Sequence, residues 1–174
     1  MNWEAIGAVG EAAGAVGVIV SLVYLAVQVR QNTRSVRGEM YESIVTAIVD
    51  LVEPLTQDQE LARIFETAVE DWDAVSFEDR SRLVYLLFSV FKLFENLHYQ
   101  FRQGTLDPSL WAGWHNLILS YYAMPGVRTW WQMRRLAFSA EFRDYLESVS
   151  IDRPLPRPSE IARGMLSPLG ALAS

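Results

Sequence analysis

A long uncharged apolar segment near the N-terminus restricts the folds open to this chain more than any other feature. Between Ala12 and Val29, roughly 18 residues, there is no charged residue and no proline. An α-helix rises about 1.5 Å per residue, so this segment spans roughly 27 Å, close to the hydrocarbon thickness of a bilayer. The sequence therefore predicts a transmembrane helix within residues 1–29.

Two other interpretations of this segment fit less well. A cleaved signal peptide begins with basic residues, whereas this chain begins Met-Asn-Trp-Glu and has no small-x-small cleavage site before Arg30. A helix buried in a water-soluble core seldom stays apolar on every side over this length.

The charges on either side of the segment predict its orientation. Glu4 precedes it without any Lys or Arg, whereas three arginines follow it closely. Because basic flanks stay in the cytoplasm, the N-terminus is expected outside, residues 30–150 form a cytoplasmic helical domain, and 151–174 form a proline-rich tail. The predicted membrane-interface anchors are Trp3, Arg30, Arg34 and Arg37.

Small residues recur along one side of the predicted membrane helix at three- and four-residue steps. Such a row lets a second helix backbone approach closely in lipid, although membrane helices are also glycine-rich in general. We expect it to support self-association or docking of a partner helix. The row consists of Gly7, Gly10, Gly14, Gly17 and Ser21.

Glu11 lies in the same row, between Gly7 and Gly14. In an oligomer built on this face, copies of Glu11 would form a ring that, together with Glu4, could line a cation-conducting pore. The alternative is that the membrane begins at Ala12, which leaves Glu11 among the outer headgroups.

Beyond the membrane segment the sequence predicts helices only. The fold class is all-α, with the N-terminal transmembrane helix continuing into a cytoplasmic bundle of four to six helices. Local start and stop signals define the later helices. The predicted elements are a continuation of the first helix to about Pro54 with a bend near Gly38, then Asp58–Asp71, Ser76–Gln103, Pro108 to about Pro125, Val127–Ala137 and Ala140–Val149.

Composition excludes several classes of function. The chain has no cysteine, so disulfides and thiolate chemistry are absent, and two histidines are too few for a histidine-based metal cage. A formal net charge of −6 argues against nucleic-acid binding. We predict no metal and no cofactor.

Two groups of side chains remain as candidate sites. His98 lies near Glu95 and Arg102 on one helix, and His115 follows on the next helix, so these residues could carry out acid–base chemistry. A partly buried histidine whose hydrogen bonds are all made within the fold is the commoner case. We therefore predict no catalytic residue. Four tryptophans are expected in the core, with a protein interface as the alternative. They are Trp111, Trp114, Trp130 and Trp131.

Several short segments resemble a widespread family of bacterial single-pass membrane proteins. They are MNWEAIG at 1–7, YLAVQVRQNT at 24–33, Glu95-Asn96, YQFRQG at 99–104, Leu106-Asp107, Trp111-x-Gly113-Trp114, Trp130-Trp131 and FSAEF at 138–142. The similarity covers roughly residues 1–146. It implies one N-terminal span in the bacterial inner membrane and a helical cytoplasmic domain, and it implies no particular activity.

Three functions fit these observations. The favoured one is a homo-oligomeric membrane assembly, with or without a cation pore. The second is an accessory subunit of a larger membrane complex, and the third is a helical-bundle enzyme with a site around Glu95, His98 and His115. The expected partners are membrane lipids and either a second copy of the chain or another membrane protein.

Overall fold

The computed structural model describes residues 3–149, 154–157, 160, 161 and 164, with only the helical backbone given for 3–13 and 15. Every regular element in these residues is helical, which confirms the all-α fold class. Two 3-10 turns, Trp72–Ala74 and Arg135–Ala137, accompany the α-helices. The helices are α1 Trp3–Gln57, α2 Gln59–Glu70, α3 Phe77–Arg102, α4 Pro108–Ala123, α5 Pro125–Arg134 and α6 Ala140–Ser148.

The chain divides into two compact units, Met1–Glu42 and Ser43–Ser174. The division falls within α1 after Glu42, later than the boundary at residue 30 that was predicted between a transmembrane segment and a helical domain. Gly38, where a bend was expected, is helical, and α1 passes Pro54 before ending at Gln57.

Polar side chains begin the helices of the second unit at the predicted places. Each accepts a hydrogen bond from a backbone N–H that the first helical turn leaves without an intrahelical partner. Because these signals are local, the helix starts could be predicted to within about two residues. The capping residues are Asp58 for α2, Ser76 for α3, Asp107 for α4 and Ser139 for α6.

Helix α3 lies at the centre of the second unit and contacts α2, α4, α5 and α6. One apolar stripe along α3 is mostly buried, with Leu86, Val90 and Phe101 only partly covered. Apolar residues three and four apart share one face of a helix, so one side of α3 can enter the core along its whole length. The buried members are Leu83, Leu87, Phe91, Phe94, Leu97 and His98.

Helices α2 and α5 approach each other most closely at Gly126. A Cβ atom at this position would collide with the backbone carbonyl of Ala68, which is itself fully buried. Glycine allows the first turn of α5 to rest on the backbone of α2. Trp130 and Trp131, four and five residues later on α5, pack against Phe91 of α3.

Candidate functional site

Part of the first unit, from Val16 to Leu25, presents an apolar surface all round the helix. Seven aliphatic side chains between Val16 and Leu25 are 54 to 61 % exposed, and no described side chain up to Glu42 is buried. Since neighbouring residues point about 100° apart, exposure of nearly consecutive positions means that every face is uncovered. Within the described residues, no helix is long and apolar enough to cross a membrane.

Part of the predicted association face can be placed. A Cβ atom added at Gly14 or Gly17 would meet nothing within 4 Å, so this face has no partner among the described residues of the chain. The Ser21 hydroxyl donates to the Gly17 carbonyl oxygen at 2.8 Å. For Trp3, Glu4, Gly7, Gly10 and Glu11 the structure describes only the helical backbone, so the predictions made for their side chains and surroundings lie outside what it describes.

The three arginines predicted at the cytoplasmic end of the helix lie shortly after this apolar surface in the sequence. Arg30, Arg34 and Arg37 are all exposed.

The four tryptophans occupy different environments in the second unit. Trp130 and Trp131 are fully buried, with the Phe91 ring centroid 5.2 Å and 5.6 Å from theirs, so neither can present its ring to a partner protein. Trp111 and Trp114 are half-buried. The core interpretation fits the first pair, because their rings fill the space between α3 and α5.

The second unit contains a cluster of imidazole and phenol groups between α3, α4 and α6. The ring of Tyr145 stacks on His98 at a centroid distance of 4.4 Å, and its hydroxyl forms a 2.8 Å hydrogen bond with Nδ1 of His115. Burial raises the pKa of Tyr145. Tyr145 therefore stands between the two histidines that the sequence singled out.

Glu95 joins α3 to the start of α6. Its carboxylate accepts a 2.6 Å hydrogen bond from the backbone N–H of Ser139 and a 2.7 Å hydrogen bond from the ammonium of Lys92. Lys92 also donates to the carbonyl oxygen of Ala137 at 2.8 Å. Burial by itself raises the pKa of Glu95, but the hydrogen bonds from Lys92 and Ser139 outweigh it, and the pKa is lowered.

An open groove of about 320 Å³ lies beside these groups. His98 reaches its wall while remaining only 7 % exposed. Burial lowers the pKa of His98 and nearby Arg102 lowers it further, against the opposing effect of Glu141 and Glu95, so the neutral form of the imidazole is favoured. The groove is lined by Lys92, Glu95, Asn96, His98, Tyr99, Ser139 and Glu141.

The geometry thus unites two of the three residues of the hypothetical enzyme site. Glu95 and His98 face the same groove, whereas His115 does not line it and is engaged with Tyr145. No three acidic or histidine side chains in the described part of the chain are arranged to hold a metal ion.

Sequence reasoning missed Tyr145, Lys92 and Glu141 as members of this region. Tyr145 follows the buried Phe142 by three residues, so its position on the inner face of α6 was open to prediction from helical periodicity. Glu141 belongs to the first turn of α6, where acidic residues are favoured, and there was no local signal that it meets α3.

Comparisons of the chain with protein-family models, with curated proteins and with solved structures each gave no match.

Proposed function

We propose that the chain is a single-pass membrane protein whose N-terminal helix anchors a cytoplasmic helical domain and associates with copies of itself. The observation that carries this proposal is the exposure of aliphatic side chains on every face of α1 between Val16 and Leu25. Such a surface in water carries a large hydrophobic penalty, which burial in lipid removes. The uncharged segment Ala12–Val29 supplies the required length.

The proposed span begins before the fully described part of α1, since residues 12, 13 and 15 lie outside it. The exposed arginines at 30, 34 and 37 fit the cytoplasmic end of a span. Ser21 fits lipid as well, because its hydroxyl is already satisfied by the Gly17 carbonyl of the preceding turn.

The natural absence of cysteine allows a direct test of location and orientation. Single cysteines are introduced as Asn2→Cys and Ser148→Cys and treated with a membrane-impermeant maleimide in spheroplasts. We expect the cysteine at position 2 to be labelled in intact spheroplasts and the cysteine at position 148 to be labelled only after lysis. Labelling of both in intact cells, or release of the chain from membranes by alkaline carbonate, would contradict the proposal.

Self-association is proposed to use the face that contains Gly14, Gly17 and Ser21. The open space beside both glycines supports this choice, because a second helix backbone can come close there. A partner helix from another membrane protein would use the same face, which is the accessory-subunit alternative.

Native mass spectrometry of the full chain in nanodiscs separates these alternatives. We expect a single defined oligomer that Gly14→Leu disrupts. Ala26→Leu is the matched control, since this small residue lies roughly 120° around the helix from Gly14 and 180° from Gly17. A monomeric wild-type chain would favour the accessory-subunit alternative, and an oligomer that survives Gly14→Leu would exclude this face.

A cation pore is a narrower hypothesis that rests on the sequence positions of Glu4 and Glu11. If the oligomer conducts, Glu11→Gln should reduce its cation selectivity, measured as the reversal potential in a salt gradient. An unchanged reversal potential would remove Glu11 from the conduction pathway.

A further inference from the structure

The groove between α3 and α6 contains a buried imidazole that has no hydrogen-bond partner among the described residues. His98 is only 7 % exposed, and it lines the groove without forming any of the hydrogen bonds found among the described residues around it. Its ring faces are covered by Tyr145, Trp111 and Phe142, at centroid distances of 4.4, 5.9 and 5.8 Å. Its nitrogens are not among the fully enclosed side-chain atoms that lack a partner, so the edge of the ring is accessible from the groove. An imidazole held in this way and lining an open groove is suited to bind a ligand that enters the groove.

Two of the other groups around the groove can only accept hydrogen bonds, whereas Asn96, Tyr99 and Ser139 can both donate and accept. Glu95 and Glu141 contribute carboxylates, and a neutral His98 contributes a nitrogen lone pair. The Lys92 ammonium also lines the groove, but it is tied to Glu95 and to the Ala137 carbonyl. Arg102 pairs with Glu141 at 2.8 Å, and this carboxylate remains about half exposed. Tyr99, also about half exposed, offers an aromatic ring at the edge.

We propose that this groove binds a primary alkylammonium group, whose N–H donors bond to the free nitrogen of His98 and to the carboxylates of Glu95 and Glu141. The three donors on one ammonium nitrogen match these three acceptors in number, and the Tyr99 ring attracts a cation. The volume of about 320 Å³ is at the small end of the range for ligand pockets, so the ligand is a short amine or a single lysine side chain.

The presence of only two histidines makes the binding directly observable. The full chain is labelled with ¹⁵N-histidine in detergent micelles at pH 7 and titrated with n-butylammonium chloride. We expect the His98 imidazole resonances to shift on titration while those of His115, which is engaged with Tyr145, serve as the internal reference. Shifts of equal size at both histidines, or at neither, would overturn the proposal.

Two further probes of the same chain length establish which chemistry is recognised. n-Butanol has a neutral hydroxyl in place of the ammonium, and sodium butyrate has a carboxylate. Binding of n-butylammonium alone supports the proposal, whereas equal or stronger binding of either other probe contradicts it. Titration with a lysine blocked at both backbone ends then distinguishes the two sources: comparable affinity points to a lysine side chain, and much weaker affinity points to a free amine.

Variants of the groove provide the final test. His98→Phe keeps an aromatic ring to stack on Tyr145 but removes both nitrogens, and it should weaken n-butylammonium binding roughly tenfold or more. Glu141→Gln should weaken it roughly two- to fivefold, because this carboxylate is partly exposed. Asp144→Asn removes the same charge from α6 outside the groove and should leave the affinity unchanged. Equal affinities for all three variants would overturn the assignment of the site.

Discussion

Gly126 and Ala68 are in backbone contact, because the first turn of α5 rests directly on the carbonyl of Ala68 near the end of α2. No side chain larger than hydrogen fits between them. We expect Gly126→Ala to destabilise the second unit by about 1–3 kcal/mol, the usual cost of overpacking a well-packed core. The measurement is urea unfolding of the full chain in detergent, followed by the fluorescence of the buried Trp130 and Trp131.

A matched control for this substitution is Gly113→Ala in α4. Gly113 is exposed and helical, and a Cβ added there meets nothing within 4 Å. Alanine should therefore stabilise α4 by up to about 1 kcal/mol through its better helix propensity. Two alanine variants with the same unfolding midpoint would show that the close approach at Gly126 does not constrain the fold.

The elements of this fold that could be predicted from the sequence are those with local causes. Ser76 caps α3 through the N–H of Asp79, three residues away, and Gly104 ends the helix with a φ of +72° that glycine adopts without strain. Pro108 begins α4 because a first-turn residue needs no N–H donor. Each signal lies within a few residues of the boundary it produces.

The groove could not be predicted because its contacts join distant parts of the chain. Glu95 meets the N–H of Ser139 across 44 residues, and His115 meets Tyr145 across 30. Such pairings depend on how α3, α4 and α6 pack, and helical periodicity within one element does not determine that packing. Lys92 reaches Ala137 for the same reason, and the sequence contained no signal for it.

Tyr145→Phe should destabilise the second unit by about 1 kcal/mol at neutral pH, since the phenol loses its 2.8 Å hydrogen bond to Nδ1 of His115. The variant should also change the alkaline behaviour. Burial raises the pKa of Tyr145, so above about pH 10 the unfolded chain ionises while the folded chain does not, and stability falls as the pH rises.

Urea midpoints measured between pH 8 and 11 check this expectation. The alkaline loss of stability should be shallower in Tyr145→Phe than in the wild type, whereas Tyr99→Phe, at an exposed position, should retain the wild-type slope. Parallel alkaline profiles for the wild type and Tyr145→Phe would exclude Tyr145 as the source.

His98 should make the fold less stable at mildly acidic pH. Burial, reinforced by Arg102, lowers the pKa of His98 from its ordinary value of about 6.5. Below that pH the unfolded chain takes up a proton that the folded chain excludes, so stability is lost as the pH falls toward the folded-state pKa. His98→Gln should flatten the stability profile in this window, measured as the urea midpoint at closely spaced pH values.

Glu95 should affect the stability of the fold in a separate, more acidic pH range. Burial opposes the ionisation of Glu95, but the hydrogen bonds from Lys92 and Ser139 prevail and lower its pKa. Its contribution is therefore present above about pH 4.5 and is lost as the pH falls through the lower folded-state pKa. Glu95→Gln should reduce the pH dependence of the urea midpoint only in this lower pH range. If Glu95→Gln or His98→Gln reduced the pH dependence of stability in both pH ranges, Glu95 and His98 would titrate as one coupled site.

Ser120 attaches segment 154–157 of the proline-rich tail to α4. Its buried hydroxyl donates to the Asn116 carbonyl at 2.6 Å and accepts the backbone N–H of Leu155 at 2.8 Å. A second attachment joins Arg157 to Glu70 on α2. Ser120→Ala leaves the Leu155 N–H without its acceptor, so segment 154–157 should open more often.

Amide hydrogen exchange at Leu155, measured by NMR, tests this attachment directly. We expect exchange roughly fivefold to tenfold faster in Ser120→Ala, the equivalent of about 1 kcal/mol for the lost hydrogen bond. Ser148→Ala is the control, because this exposed hydroxyl donates only to the Tyr145 carbonyl within α6. If Leu155 exchanges at the wild-type rate in Ser120→Ala, the ion pair of Arg157 with Glu70 must hold the tail without Ser120, and Arg157→Gln should then release it.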